Sequence, residues 1–253
     1  MSDTANDHSR KDIDYHEAIA AEYDRVVVAP RRASIDALFA PLSARIPRGA
    51  RMLDLGTGTG HMLERYAGRF DDVVAVDHSD AMLAFAREAM RRRGWSHVRF
   101  VDADATSFLR DDDGRYDLVT CVGFLHHLLA EQRVAIFRGV RDRLAGDGLL
   151  VIAEPIETDR REPPAIEWWN RAYRRRPEEY RVHAEDPDEA PLPREQLHRE
   201  FTDAGLAVVA DGSGWEVFPR PGLAPMLNRW AIRALHAGFG AGGPVYWACC
   251  RRA

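Results

Sequence analysis

From residue 50 onward, short apolar runs alternate with stretches of helical periodicity. "ARMLDLG" reads as a buried strand and "HMLERYAGRF" as a helix. "DVVAVD" is a strand, and "DAMLAFAREAMRRRG" is a helix closed by Gly94. The series continues with strands "HVRFVDAD" and "YDLVTCVGF", helix "EQRVAIFRGVRDRLAG" and strand "GLLVIAEP". Strands and helices alternating at these lengths predict parallel βαβ units and a covered central sheet.

The flanks carry other rhythms. "YHEAIAAEYDRVV" spaces Tyr15, Ile19 and Tyr23 by four, which predicts a short amphipathic helix. "ASIDALFAPLSARI" reads as a second helix, stopped by Pro47. Residues 1–12 are polar and predicted disordered. After Pro155 the alternation breaks, and residues 155–192 are rich in Pro, Arg, Glu and aromatics. Helix "REQLHREFTDAG" and strand "LAVVAD" resume it, followed by helix "LAPMLNRWAIRALHAG" and a terminal strand "PVYWACCRR".

Composition narrows the function. A chain of 253 residues with 45% hydrophobic content suits one full-sized domain. A net charge of −5 offers no basic face for nucleic acid. Lys11 is the only lysine, so Schiff-base and Walker-lysine chemistry have no candidate beyond the N-terminal tail. Cys121, Cys249 and Cys250 have no zinc spacing, and no other metal motif stands out. A reduced, cytoplasmic protein is expected. The N-terminus has no apolar leader, and no run reaches the roughly 18 apolar residues of a membrane span.

The chemistry concentrates at "MLDLGTGTG", where Gly56, Gly58 and Gly60 follow the first strand. A P-loop would need a lysine after its last glycine, and none is there. The dinucleotide fingerprint needs a small residue where His61 stands, which leaves only a variant of that site. A plain tight turn would need fewer glycines. Asp77 ends the second strand, 21 residues after Gly56, where a carboxylate reaches a ribose diol. Its alternative role, capping the next helix, can be filled by Ser79 or Asp80. Asp104 and Ala105 follow the third strand, where a carboxylate can accept from an adenine amino group. These strand ends share one rim, the usual ligand edge of an open α/β sheet.

Together these segments resemble the class I S-adenosylmethionine-dependent methyltransferases, especially the small-molecule group that includes the ubiquinone and menaquinone methyltransferases. "LDLGTGTG", "VVAVDHSDAML", "VRFVDADATSF", "YDLVTCVGFLHHL" and "LAGDGLLVIAEP" are similar to that family's five motifs in order, and "IAAEYD" to its N-terminal helix. The likeness covers residues 15–155 and is poorer beyond them. It implies a doubly wound, mostly parallel seven-stranded sheet of the Rossmann-like methyltransferase type. That fold would comprise cap helices at 13–46, a cofactor-binding core at 51–154, a lid insertion at 155–192 and sheet completion at 193–253. It further implies that Gly56 and Gly58 pass beneath the methionine portion of S-adenosylmethionine and that Asp54 holds its amino group. Asp77 would bind the ribose hydroxyls, Asp104 and Ala105 would contact adenine, and Cys121 would contact the amino-acid portion through its backbone.

The acceptor is less constrained. His126 and His127 follow the fourth strand, and either could take a proton near neutral pH. Equally, one could pack while the other meets solvent. "CVGF" lacks the Asn/Asp-Pro-Pro-aromatic motif of enzymes that methylate exocyclic amines of DNA bases or glutamine. The short arginine clusters read as solvated faces, so a small-molecule partner is expected and nucleic acid is not. Trp168, Trp169 and Tyr173 lie within one insertion, at spacings that allow a shared helical face. They either pack as a lid or, with Tyr15 or Tyr23, line a pocket for a flat or apolar acceptor. Methyl transfer to oxygen or nitrogen is the leading expectation. Transfer to carbon is the nearest variant, a cofactor-binding protein without transfer is the rival of another class, and a dehydrogenase is the weaker one.

Overall fold

The computed structural model describes residues 21–175 and 191–253. Seven strands form one sheet: β1 Gly49–Leu55, β2 Phe70–Asp77, β3 Val98–Asp102, β4 Tyr116–Val122, β5 Leu144–Pro155, β6 Leu206–Gly214 and β7 Val245–Arg252. Their order is β3-β2-β1-β4-β5-β7-β6. The first five strands are parallel, and β7 runs antiparallel between β5 and β6. The chain winds outward from β1 to β3, then returns to β4 on the other side of β1. That reversal opens a crevice at the carboxyl ends of β1 and β4.

Helices cover both faces. They are α1 Ala29–Phe39, α2 His61–Tyr66, α3 Asp80–Arg92, α4 Ala105–Asp111, α5 Ala130–Arg143, α6 Pro164–Arg174, α7 Arg194–Asp203 and α8 Pro225–Phe239. The apolar runs alternate sides along each strand. Leu53, Leu55, Val119 and Ile152 join Leu109, Phe137 and Phe201 in one core cluster, under α4, α5 and α7. Met52, Val73, Leu118 and Val151 join Phe39, Leu63 and Met90 on the opposite side, under α1, α2 and α3. Burial on both faces explains why these strands read as continuous apolar runs.

Two expectations at the N-terminal cap are revised. Instead of a break between two helices, helix runs unbroken from residue 21 to Phe39 through a π-helical turn, Asp24–Val28. Pro30 lies in the first turn of α1. Its missing N–H and its ring are accommodated where the backbone has just widened by one residue. The helix also stops well before Pro47. Pro41 has no N–H to donate back along the helix, and the chain tightens into a 3₁₀ turn, Ala40–Leu42. Tyr15 and Ile19 lie outside the described residues.

A third cluster, Ile166, Trp215, Val217 and Ile232, ties α6 to α8, with Ala33 of α1 and Trp169 packed against it. The helix predicted in the insertion is therefore a side wall bonded to the strip after β6. Among the described residues, no helix is long and apolar enough to cross a membrane.

Candidate functional site

The glycine turn is held from two sides. Gly56 and Thr57 donate their backbone N–H groups to the Val76 carbonyl at 3.0 and 3.1 Å. Gly58 donates to Asp77 Oδ2 at 2.7 Å. Gly56, Gly58 and Gly60 all have left-handed backbones, with φ of 68, 52 and 92°. Their surroundings differ. A Cβ on Gly56 would stand 2.5 Å from the Phe124 ring, whereas one on Gly58 would meet nothing within 4 Å. Gly58 therefore presents bare backbone to open space.

Asp77 also accepts from the Ser79 backbone at 2.9 Å. Ser79 is the N-cap of α3, its Oγ accepting from the Met82 N–H at 3.2 Å. The capping role thus falls to Ser79, and Asp77 braces the turn. Each Asp77 oxygen accepts one of these bonds, which leaves lone pairs for a further donor. Asp104 is exposed and caps α4 by accepting from the Ser107 N–H at 2.8 Å. Ala105 is buried beside it.

Asp54 is a carboxylate placed inside the protein. Sheet register sets Thr120 of β4 directly beside it. Its oxygens accept from Thr120 Oγ1 at 2.5 Å and Thr57 Oγ1 at 3.1 Å. Burial pushes its pKa up to about 7, against the pull of those two hydroxyls, and Asp77 adds a smaller upward push.

Across the crevice, Glu154 lies next to the end of β5 and is 1% exposed. Its carboxylate accepts from the backbone N–H groups of Phe124, Leu125 and His126 at 3.1, 3.0 and 3.3 Å. His126 Nδ1 lies 2.7 Å from Glu154 Oε2. A carboxylate only accepts, so Nδ1 carries a proton, and in the neutral ring the lone pair falls on Nε2. His127 is buried, its ring 3.9 Å from that of His126.

One cavity of about 400 Å³ is lined by Asp54, Gly56, Gly58, Asp77, Asp104, Ala105, His126, His127 and Glu154. Tyr23 and Arg31 reach it from the N-terminal helix, and Glu216 from beyond β6. Thr59 Oγ1 donates to Asp24 Oδ1 at 2.6 Å, fastening that helix to the glycine turn. Arg31 Nε donates to Glu216 Oε1 at 2.6 Å.

Other expected residues lie elsewhere. Cys121 is fully buried in the core and outside the lining, to which Val122 at the end of β4 and the following Gly123 contribute. Burial holds the Cys121 thiol well above its usual range. Trp168, Trp169 and Tyr173 are likewise outside the lining. Trp169 Nε1 donates to the Phe218 carbonyl at 2.7 Å, and Tyr173 stacks on the Phe218 ring at 4.4 Å. Trp168 is exposed under the Arg220 guanidinium, 4.3 Å from its ring. Trp169 and Tyr173 both reach Phe218 from one side of the helix while Trp168 faces out, and the buried face of α6 meets α8 and residues 215–218. Glu154, Thr120 and Glu216 were not singled out from sequence, and Arg31, read there as part of a solvated face, instead lines the cavity. Only Glu154 carried a signal, as a carboxylate ending a strand on the ligand rim.

Residues 52–148 match the methyltransferase domain family. The glycine/sarcosine N-methyltransferase of Halorhodospira halochloris is 38% identical over 109 residues, which is 42% of this chain and 40% of that one. The ubiquinone/menaquinone biosynthesis C-methyltransferase UbiE of Idiomarina loihiensis is 38% identical over 79 residues, 30% of this chain and 31% of that one. Residues 52–148 are a class I S-adenosylmethionine-dependent methyltransferase domain. The matches span less than half the length of these curated relatives. The fold likeness is longer: a DhpI-SAM-HEP complex superposes with a TM-score of 0.65 at 18% identity, covering 99% of both chains. A DhpI-SAH complex gives 0.62 at 20% identity, covering 95% of both. The methyltransferase domain also meets a local test of cofactor fit. The bare Gly58 backbone, the buried Asp54 and the braced Asp77 line one cavity, which suits a cationic nucleoside without a pyrophosphate.

Proposed function

We propose that the protein transfers a methyl group from S-adenosylmethionine to an oxygen or nitrogen of a small, apolar molecule. The observation that carries this reading is the His126–Glu154 pair, which lines the same cavity as the glycine turn. Gly56 and Gly58 would back the methionine portion, and Asp54 would hold its amino group. Asp77 would hold the ribose, with Asp104 and Ala105 at the adenine. When bound, the cofactor supplies a methyl group already activated on a sulfonium. The protein then has two tasks. It aligns the acceptor with that methyl, which can lower the barrier by about 7 kcal/mol or more. It also accepts the proton that an O–H or N–H acceptor must lose. His126 Nε2 takes that proton, while Glu154 fixes the tautomer and stabilises the imidazolium.

The test combines binding and turnover. Calorimetry should show S-adenosylhomocysteine binding and no comparable binding of NAD; the opposite result rejects the proposal. Incubating a metabolite extract with methyl-labelled donor should label a small molecule, whose mass spectrum identifies the methylated atom. His126→Ala should then lower kcat by about 100-fold, as loss of a general base does, with S-adenosylhomocysteine affinity unchanged. Unchanged turnover would remove His126 as the base.

A further inference from the structure

The cavity has apolar lining besides its polar groups. Val27, Val28, Ile35, Leu38, Phe39 and Met62 line it, and Glu216 lines it too. This carboxylate is fixed from behind. Its backbone carbonyl accepts from Asn170 Nδ2 at 2.8 Å, and its neighbours Trp215 and Val217 are buried. Oε1 takes the Arg31 bond, whereas Oε2 makes no hydrogen bond or ion pair with the described residues. The side chain is 30% exposed, so the cavity reaches it.

The wider lining points the same way. Its carboxylates are Asp54, Asp77, Asp104, Glu154 and Glu216, against Arg31 as the one guanidinium among the described lining residues. Arg31 is already committed to Glu216. An anionic acceptor would have to compete with that pair while meeting the field of the other carboxylates. A donor group without negative charge would instead complete the bonding of Oε2.

We infer that Glu216 selects the acceptor, and that this acceptor is a small apolar molecule bearing an ammonium or hydroxyl group and no carboxylate or phosphate. The inference rests on the methyltransferase reading above and adds the substrate class. Arg31–Glu216 could alternatively serve only to tie α1 to the strip after β6. Neutralising the carboxylate distinguishes the two, because Glu216→Gln keeps an acceptor oxygen for Arg31 and removes the charge.

The full-length protein, saturated with S-adenosylhomocysteine, is titrated with three probes on one ring: tryptamine, tryptophol and indole-3-propionate. Tryptamine and tryptophol should bind about tenfold or more tighter than indole-3-propionate. Glu216→Gln should weaken tryptamine about tenfold, leave tryptophol within about threefold, and leave S-adenosylhomocysteine within about twofold. Failure of tryptamine to bind overturns the inference, as does equal binding of the anionic probe. So does a variant that keeps the cationic preference. Failure of S-adenosylhomocysteine to bind the unmodified protein is a different result, and it rejects the methyltransferase reading itself.

Discussion

Gly56 and Gly58 share a left-handed backbone, but their substitutions should fail in different ways. Gly56→Ala adds a methyl 2.5 Å from Phe124, on top of a strained φ, and should cost about 3 kcal/mol of stability. Gly58→Ala pays only the backbone cost, about 1–2 kcal/mol. Its methyl points into the open space proposed for the cofactor, so S-adenosylhomocysteine affinity should fall more than about tenfold. Thermal denaturation and calorimetry on both variants check this. Equal stability losses would overturn the packing contrast between the two glycines, and an unaltered affinity in Gly58→Ala would show that the open space at Gly58 is no binding surface. Legibility at this scale followed position along a strand. Asp54 and Asp77 were readable because each ends an apolar run at the ligand rim. The His126–Glu154 pair was not, because the two residues are separated by 28 positions and meet only where β4 lies beside β5.

At the scale of elements, α6 depends on Asn170 more than on its tryptophans. Asn170 is fully buried, and its amide bonds Glu162, the Glu216 carbonyl and the Phe218 N–H at 2.8, 2.8 and 3.0 Å. Asn170→Ala leaves buried partners unsatisfied and should destabilise the protein by about 2–4 kcal/mol, read from urea denaturation. Trp169→Ala should mainly lower stability too, with S-adenosylhomocysteine affinity unchanged, since its indole bonds Phe218 away from the cavity. A cofactor-affinity loss in either variant, at full stability, would place α6 in the site. The sheet was legible because its strands are apolar on both faces and its helices have full-length periodicity. The cap was not. A π turn absorbs Pro30, and nothing in the local spacing announces it. The aromatic spacing of the insertion defined a face, but which surface that face meets is decided by residues 215–218, more than 40 positions later.

Across the whole molecule, the cavity concentrates carboxylates, and Asp54 bears the clearest consequence. Its pKa rises from an ordinary 3.8 to about 7 because burial disfavours the charge. The folded state therefore holds a proton on Asp54 that the unfolded chain has released over the range between those values. Its contribution makes stability fall as pH rises from about 4 to 7, and it levels off above that. In the role proposed for it, the same carboxylate is ionised when it holds the amino group of the cofactor. Binding below pH 7 therefore expels a proton, and affinity for S-adenosylhomocysteine should rise about tenfold from pH 6 to pH 8 and then flatten. Calorimetry at pH 6 in two buffers of different ionisation enthalpy should count close to one proton released. Asp54→Asn should release none and show a flat affinity profile over this range. It should also lose the associated fall in stability with pH, so that the uncomplexed variant gains on the parent as pH rises. Proton release that survives the substitution would move the linkage to another group, and with it the assignment of Asp54 to the cofactor's amino group.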